Sequence, residues 1–590
     1  MNIGTVLLSL GIGLVVILLF LVGFMILKTF LYSAPHKKIE PREFPTVDGK
    51  SVAERLGLAV QYKTISYDDP KLIDGNAFFG LHRLFQTLYP LVHSHLTLET
   101  VNDYSLLYTW AGSDPELQPI MLIAHLDVVP ADEESEDWVH PPFSGEMDDG
   151  YVWGRGTLDT KGSVIGILEA VEYLLKQGFQ PERTVYLGFG HDEELTGYQG
   201  ARAIAHLLAA RGVQLGSLLD EGGSVSEQFL PGVEVPVGRI GISEKGYLSL
   251  RLSLTMDGGH SATPARQTAI GILARAVTRL EANPLPAHLE VVEFMMSYLG
   301  SALPFRQRFL FANTWLFGGR LKKQLTQSKV MNASIRTTTA PTIINAGMKD
   351  NVLPAKAEAV INFRILPGDD LRSVYEMVLQ RINDERVKVT PFEGETLEGP
   401  SGWEPSPVAD IESPYYLRLS RLVQEAFPEA RVSPLLVSGC TDARHYAPLT
   451  ENAFRFTPIQ IDKTDLNSVH AVNERLSFEN CAKMVGFYIA YIQEMGTLPE
   501  DVDAFAALKQ EAPQTKDLED VTEWDEEEDM PIPTLEEAGS LENGADAKAS
   551  DGEDEDEIPI PTLEETLSLG LGEDEGDNPD RSEADDEPQV

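Results

Sequence analysis

The sequence predicts an α/β protein with a mostly parallel sheet, interrupted by an α+β insert. An apolar helix precedes this body and an acidic tail follows it. Three observations predict the arrangement. Near-continuous apolar runs such as PIMLIAHLDVV and RTVYLGFG alternate with helical patterns, as strands buried on both faces do. Near Gly241 the pattern changes to the period-2 alternation of GYLSLRLSLTM and KAEAVINFRIL, which fits half-exposed strands. Both ends of the chain depart from globular composition.

Taken in order, residues 3–27 are uncharged and apolar, long enough to span a hydrocarbon layer of about 30 Å. A cleaved signal peptide is the competing reading. It fits less well, because the run is long, no basic residue precedes it and no A-x-A-like site follows. Lys28, Lys37, Lys38 and Arg42 all follow the span, and this bias places the large domain of a single-pass protein on the cytoplasmic side. Residues 33–43 form a polar linker.

At 590 residues the chain exceeds one core, so several folded units are expected. The first covers residues 44–242, with helices near 163–177 and 200–210, and resumes over 391–497. The α+β insert covers 243–390 around the helical pattern TAIGILARAVTRLEA. Within it, residues 294–319 are dense in Phe, Met, Leu and Trp. They read either as insert core or subunit interface, or as an apolar channel or membrane-touching surface.

The formal charge of −45 is concentrated at the end of the chain: residues 501–590 hold 33 acidic and 4 basic side chains. Residues 511–590 are expected to be disordered. They contain DMPIPTLEEAGSL and, 28 residues later, EIPIPTLEETLSL. The repeat reads as a bivalent docking motif for an unknown partner or as a duplicated spacer. Neither the moderately acidic body nor the acidic tail reads as a nucleic-acid binder, which would need a basic face. Two cysteines, Cys440 and Cys481, exclude a disulfide framework and leave imidazole and carboxylate as the metal-binding groups.

The chemistry lies at strand ends. In AHLDVVP, His125 and Asp127 are two apart and face one side, where the carboxylate can fix the imidazole. GRGTLDTKG puts Asp159 in a glycine-flanked loop before a helix, where by itself it would read as a cap. FGHDEELTG sets Asp192, Glu193 and Glu194 in succession, and a cation relieves the repulsion of adjacent acids. LLDEGG adds Asp220 and Glu221, and NSVHAVNE adds His470. Together these indicate a crevice for two metal ions sharing one carboxylate, with zinc favoured and cobalt or manganese as alternatives. Water between two such ions becomes a hydroxide nucleophile, and an unligated carboxylate shuttles its proton. The residues alone leave open which of Glu193 and Glu194 is the ligand.

H-L-D-V-V-P, G-R-G-x-x-D-x-K-G, G-H-D-E-E, L-D-E-G-G and V-H-x-V-N-E, in this order, resemble the co-catalytic zinc amidohydrolases that include carboxypeptidase S, aminoacylase and glutamate carboxypeptidase. The resemblance covers about residues 50–497. RTTTAPT, NVLPAKAEAVINFR and SGCTDARH look nearest to the carboxypeptidase S and N-fatty-acyl-amino-acid hydrolase branch. It implies a zinc-exopeptidase-like domain and an insert acting as lid and dimerisation domain. It further implies two zinc ions: one on His125 and Asp220, the other on Glu194 and His470, with Asp159 bridging. Asp127 would orient His125, and Glu193 would be the general base. In the lid, His260 would polarise the scissile carbonyl, often from a partner subunit, while Asn351, Arg364 and Gly439 would hold the substrate carboxylate. Relatives in this branch often act outside the cytosol, against the charge bias at the span.

The expected activity is hydrolysis of the amide of an N-acyl amino acid, long-chain acyl groups included, or of a short peptide with a free C-terminal carboxylate. A dipeptidase of the same fold is one alternative, and a non-catalytic membrane scaffold displaying the acidic tail is another. No G-x-S-x-G run supports a serine hydrolase.

Overall fold

A computed structural model of the chain describes residues 3–32, 39, 41–132, 136–227 and 232–497. Lys37, Lys38 and the acidic tail with its repeated motif lie outside the described residues. The apolar N-terminal run is one helix, Ile3–Leu31, long and apolar enough to cross a membrane.

The first body is built on a ten-stranded mixed sheet. At its centre Val185–Gly190, Ile120–His125, Ser217–Asp220 and Ala453–Arg455 lie side by side and parallel. Thr97–Val101 and Ser105–Trp110 close one edge antiparallel. The apolar run IMLIAH is buried throughout because both of its faces are covered. Alternation divides its side chains between two cores. Ile120, Leu122 and Ala124 meet the layer that includes helices Gly49–Val60, Lys161–Lys176 and Phe478–Met495. Met121 and Ile123 meet Ile204 and Leu208 of helix Ala201–Ala210 on the opposite face.

Strand Val237–Glu244 belongs to this sheet, and after Lys245 the chain continues as Gly246–Thr255 in a second one. That sheet has five strands and is antiparallel, in the order Thr338–Ala346, Lys356–Ile365, Gly246–Thr255, Lys388–Pro391. The alternation in GYLSLRLSLTM does what it predicts: Leu248, Leu250, Leu252 and Leu254 point into one core with helices Ala269–Ala282 and Leu371–Ile382. Thr268 caps the first of these helices by accepting from Gly271 N, and Asp370 forms a capping box with Ser373 on the second. Gly402–Trp403 also pairs with Gly246–Thr255, so the second sheet extends past residue 390.

Residues 294–319 fall into helices Glu290–Leu299, Phe305–Ala312 and Thr314–Leu325, which have a small core of their own around Met296, Leu303 and Phe311.

Candidate active site

Three adjacent parallel strands deliver the chemistry. Ile120–His125 ends on His125, Val185–Gly190 leads into His191–Glu194, and Ser217–Asp220 leads into Glu221. The carboxyl ends of neighbouring parallel strands open into one crevice, where such folds place their ligands.

Asp159 is at the centre of the cluster. Its Oδ1 is 2.9 Å from His125 Nε2 and its Oδ2 is 2.9 Å from His470 Nε2, so one carboxylate joins two imidazoles. Glu194 Oε2 lies 3.2 Å from His470 Nε2, and Glu221 Oε1 lies 3.2 Å from His125 Nε2. Potential ligand atoms of His125, Asp159 and Glu194 fall within 4.8 Å of one another, as do those of His125, Glu193 and Glu221. His470 reaches the site from a loop in left-handed backbone, φ 59°, a conformation uncommon outside glycine and typical of constrained sites.

Asp127 holds two strand ends together. Its carboxylate accepts from the backbone N–H groups of Glu193 and Glu194 at 3.2 Å each and from Ser66 Oγ at 2.7 Å. It also lies 3.3 Å from His125 Nδ1, which leaves Nε2 facing the cluster. Burial raises the Asp127 carboxyl, but the bonds from His125 and Ser66 outweigh it and hold the group below its ordinary range.

Not every expected residue joins the cluster. Asp220 turns its carboxylate to backbone, accepting from Ala443 N and Glu221 N at 2.8 Å each. Glu221, one residue further along an alternating strand, points the other way and takes the place beside His125. Gly222, at φ 108°, and Gly223, where a Cβ would sit 2.1 Å from Arg239 O, turn the chain sharply after it.

His260 and Asn351 lie together on the exposed edge of the second body. His260 pairs with Val352 across two short strands, and Ser261 N donates to Asn351 O at 3.2 Å. Arg364 sits over the Tyr247 ring at 5.0 Å, Tyr247 stacks on Trp403 at 4.5 Å, and Arg444 covers Trp403 at 3.9 Å. Gly439 is exposed, with open space where a side chain would be.

Sequence reasoning gave Glu474 no role. It is fully buried, and its Oε1 accepts from Gly156 N, Leu158 N and Asp159 N at 2.8–3.1 Å. Its Oε2 accepts from Arg155 at 2.6 Å. It was visible only as the last letter of VHAVNE.

The donor set fits metal. It gathers several buried or half-buried carboxylates around one buried imidazole, and Glu194 Oε1 is buried without a hydrogen-bond partner. Burial pushes the Glu221 carboxyl up to about 7, and Asp159 beside it adds to the shift. A divalent cation among these oxygens and imidazole nitrogens relieves both penalties. Among the described residues the two candidate metal groups contain no cysteine: Cys481 is buried in the core below the sheet, and Cys440 belongs to neither group.

Residues 121–494 match the model of peptidase family M20/M25/M40. "Probable carboxypeptidase S-like 2" of Dictyostelium discoideum is 40% identical, over 80% of this chain and 91% of its own length. The human N-fatty-acyl-amino acid synthase/hydrolase PM20D1 is 39% identical, over 78% of this chain and 91% of its own. Among solved structures, the M20 family metallo-carboxypeptidase Sso-CP2 of Sulfolobus solfataricus shares the fold at TM-score 0.55. It is 16% identical, and the match covers 75% of this chain and 99% of that one. With a buried imidazole–carboxylate cluster at the ends of three parallel strands and a family match spanning most of the folded body, the chain belongs to peptidase family M20/M25/M40 and is a hydrolase.

Proposed function

We propose that the chain cleaves the amide bond of N-acyl amino acids, long-chain ones included, or of short peptides with a free C-terminal carboxylate. The observation that carries this is Asp159, placed between His125 and His470 with one oxygen toward each. Two zinc ions would be held by His125 with Glu221 and by Glu194 with His470, Asp159 serving both. In this assignment Glu221 replaces Asp220, whose carboxylate is committed to backbone. When bound, such ions polarise a carbonyl and acidify water at neutral pH.

The side chains do the rest. Glu193, grouped with His125 and Glu221, accepts a proton from water as the water oxygen adds to the amide carbon. It then passes that proton to the leaving nitrogen as the C–N bond breaks, giving a free acid and an amine. Asp127 keeps His125 oriented throughout. His260 and Asn351, from the second body acting as a lid, would meet the carbonyl and the substrate carboxylate, with Arg364 and the Gly439 backbone beside the latter. The exposed strand Thr338–Ala346, with Ile343 and Ile344 open to solvent, supports a homodimer through the lid.

Helix Ile3–Leu31 would anchor the enzyme in a membrane by a single pass, with Lys28 and Arg42 favouring a cytoplasmic active site. An anchor in lipid and relatives named for fatty-acyl amino acids both support an acyl substrate. The test is a panel of acetyl to long-chain acyl amino acids plus dipeptides, assayed with metal content on the purified full chain. Turnover that rises with acyl length and disappears on chelation is expected. Dipeptides cleaved far faster than any long-chain substrate would refute the acyl preference.

A further inference from the structure

The N-terminal helix is unburied along most of its length, but its last turns are docked. Met25 and Thr29, one helical turn apart, are buried, and Asn313 Nδ2 donates to Met25 O and Thr29 Oγ1 at 3.3 Å each. Tyr32 donates to Glu293 O at 3.0 Å. The unburied stretch, residues 3–24, measures about 33 Å as a helix, close to the roughly 30 Å of a hydrocarbon core. If that stretch fills the core, the helices that grip residues 25–32 sit at the headgroups.

Their surface suits that depth. Ring contacts run from Phe30 to Phe305 at 6.0 Å, on to Phe309 at 6.2 Å and to Phe317 at 5.7 Å, so the apolar surface of the membrane helix continues onto the insert. Phe305, Trp315 and Leu316 remain 46%, 55% and 50% exposed, while Phe311 and Leu321 of the same helices are buried. Between Phe305 and Ser334 there are six basic residues and no acidic one, in a chain of net charge −45. Arg320, Lys322 and Lys323 are exposed on the helix that presents Trp315. Aromatic and aliphatic side chains beside a basic cluster fit an anionic bilayer surface, which attracts Lys and Arg held close to it.

We infer that the face formed by Phe305, Trp315, Leu316, Arg320, Lys322 and Lys323 rests on the anionic headgroup surface of the membrane crossed by the N-terminal helix. This rests on the proposal that the helix is an uncleaved anchor. The face gives the catalytic body a second contact with lipid and fixes its tilt against the bilayer, which a single helix on a linker would not do.

The test reconstitutes the full chain into phosphatidylcholine vesicles, or equimolar phosphatidylcholine and phosphatidylglycerol, carrying acyl-brominated lipid. Flotation reports the anchor, and the fluorescence difference between wild type and Trp315→Phe reports the face. Expected are co-flotation in both lipids and bromine quenching of the Trp315 component. That quenching should be strong with phosphatidylglycerol, weaker without it, and weak in R320Q/K322Q/K323Q. Detergent-phase activity should match wild type in every variant, which controls for folding. Co-flotation with an unquenched Trp315 overturns the face and leaves the anchor standing, and cross-linking would then show whether a second copy covers it. Quenching indifferent to lipid charge overturns the anionic assignment. Failure to co-float overturns the anchor and this inference with it.

Discussion

Glu474 Oε1 accepts a hydrogen bond from the backbone nitrogen of Asp159 at 3.1 Å, across 315 residues of sequence. Glu474 stands four residues after His470, so the loop that presents one imidazole also clamps the loop that presents the shared carboxylate. The spacing of Asp159 and His470 is therefore set by Glu474 as well as by any ion between them.

Replacing Glu474 with Gln keeps its volume but turns an amide toward the buried Arg155 guanidinium, leaving that charge uncompensated. Breaking a buried pair this way costs about 3–5 kcal/mol, and loosening a ligand's support weakens metal binding on the order of 10- to 100-fold. Chelator competition on the solubilised full chain measures the second effect separately from denaturation. Metal affinity equal to wild type would rule out the clamp.

Glu221 and Asp220 separate cleanly by variant. Glu221→Ala should lose metal and nearly all activity while the fold remains, because its carboxylate faces His125 rather than backbone. Asp220→Asn should retain metal and lose stability instead, since Asp220 accepts from Ala443 N and Glu221 N. Lost buried hydrogen bonds of this kind are worth about 1–3 kcal/mol. Elemental analysis of the two purified variants decides, and the opposite pattern would restore Asp220 as the ligand.

How far the sequence was legible follows from where each signal resides. Strands such as Ile120–His125 announce themselves because both faces are buried, and Leu248 to Leu254 because only one is. Candidate ligands could be found because strand ends are where an α/β sheet exposes chemistry. The sequence, through its resemblance, favours Asp220 as a ligand, whereas the fold sets Glu221 beside His125, a difference that turns on which way one residue points where the strand ends. Glu474 was hidden because its partners are backbone N–H groups, which leave no trace in residue type. The docking of Thr29 on Asn313 joins positions 284 apart and follows no local pattern.

Arg364 is held flat above Tyr247, which lies opposite it in strand register, with Trp403 and Arg444 completing the stack. A planar guanidinium fixed by an aromatic face can present its fork to a carboxylate, and lysine cannot reproduce that geometry. Arg364→Lys should raise KM for substrates with a free carboxylate about tenfold, in line with a stacked, bidentate contact of roughly 1–2 kcal/mol. Substrates whose carboxylate is amidated should show no change. An equal loss on both kinds of substrate would reduce Arg364 to a structural part of the stack.

Lys245, between the two sheets, makes stability depend on pH. Burial, aided by the nearby Arg364 charge and opposed by Asp369, pushes its ammonium from the ordinary 10.5 down to about 7. The neighbouring acid, Glu244, is engaged by Arg455 and does not compensate it. A neutral amine still has hydrogens for its two acceptors, Ala333 O and Arg336 O, each at 2.7 Å. Between pH 7 and 10.5 the unfolded chain binds the proton that the folded chain has released, so this site makes stability rise with pH across that window. Below about 7 both states are charged and the burial penalty is felt in full. Lys245→Met leaves the two carbonyls without their donor, a loss that does not vary with pH, and removes the slope. Denaturation of both proteins at several pH values from neutral to alkaline should therefore give curves that diverge, wild type gaining on the variant as pH rises. Parallel curves would mean that Lys245 keeps its charge in the fold and that the junction between the sheets tolerates a buried cation.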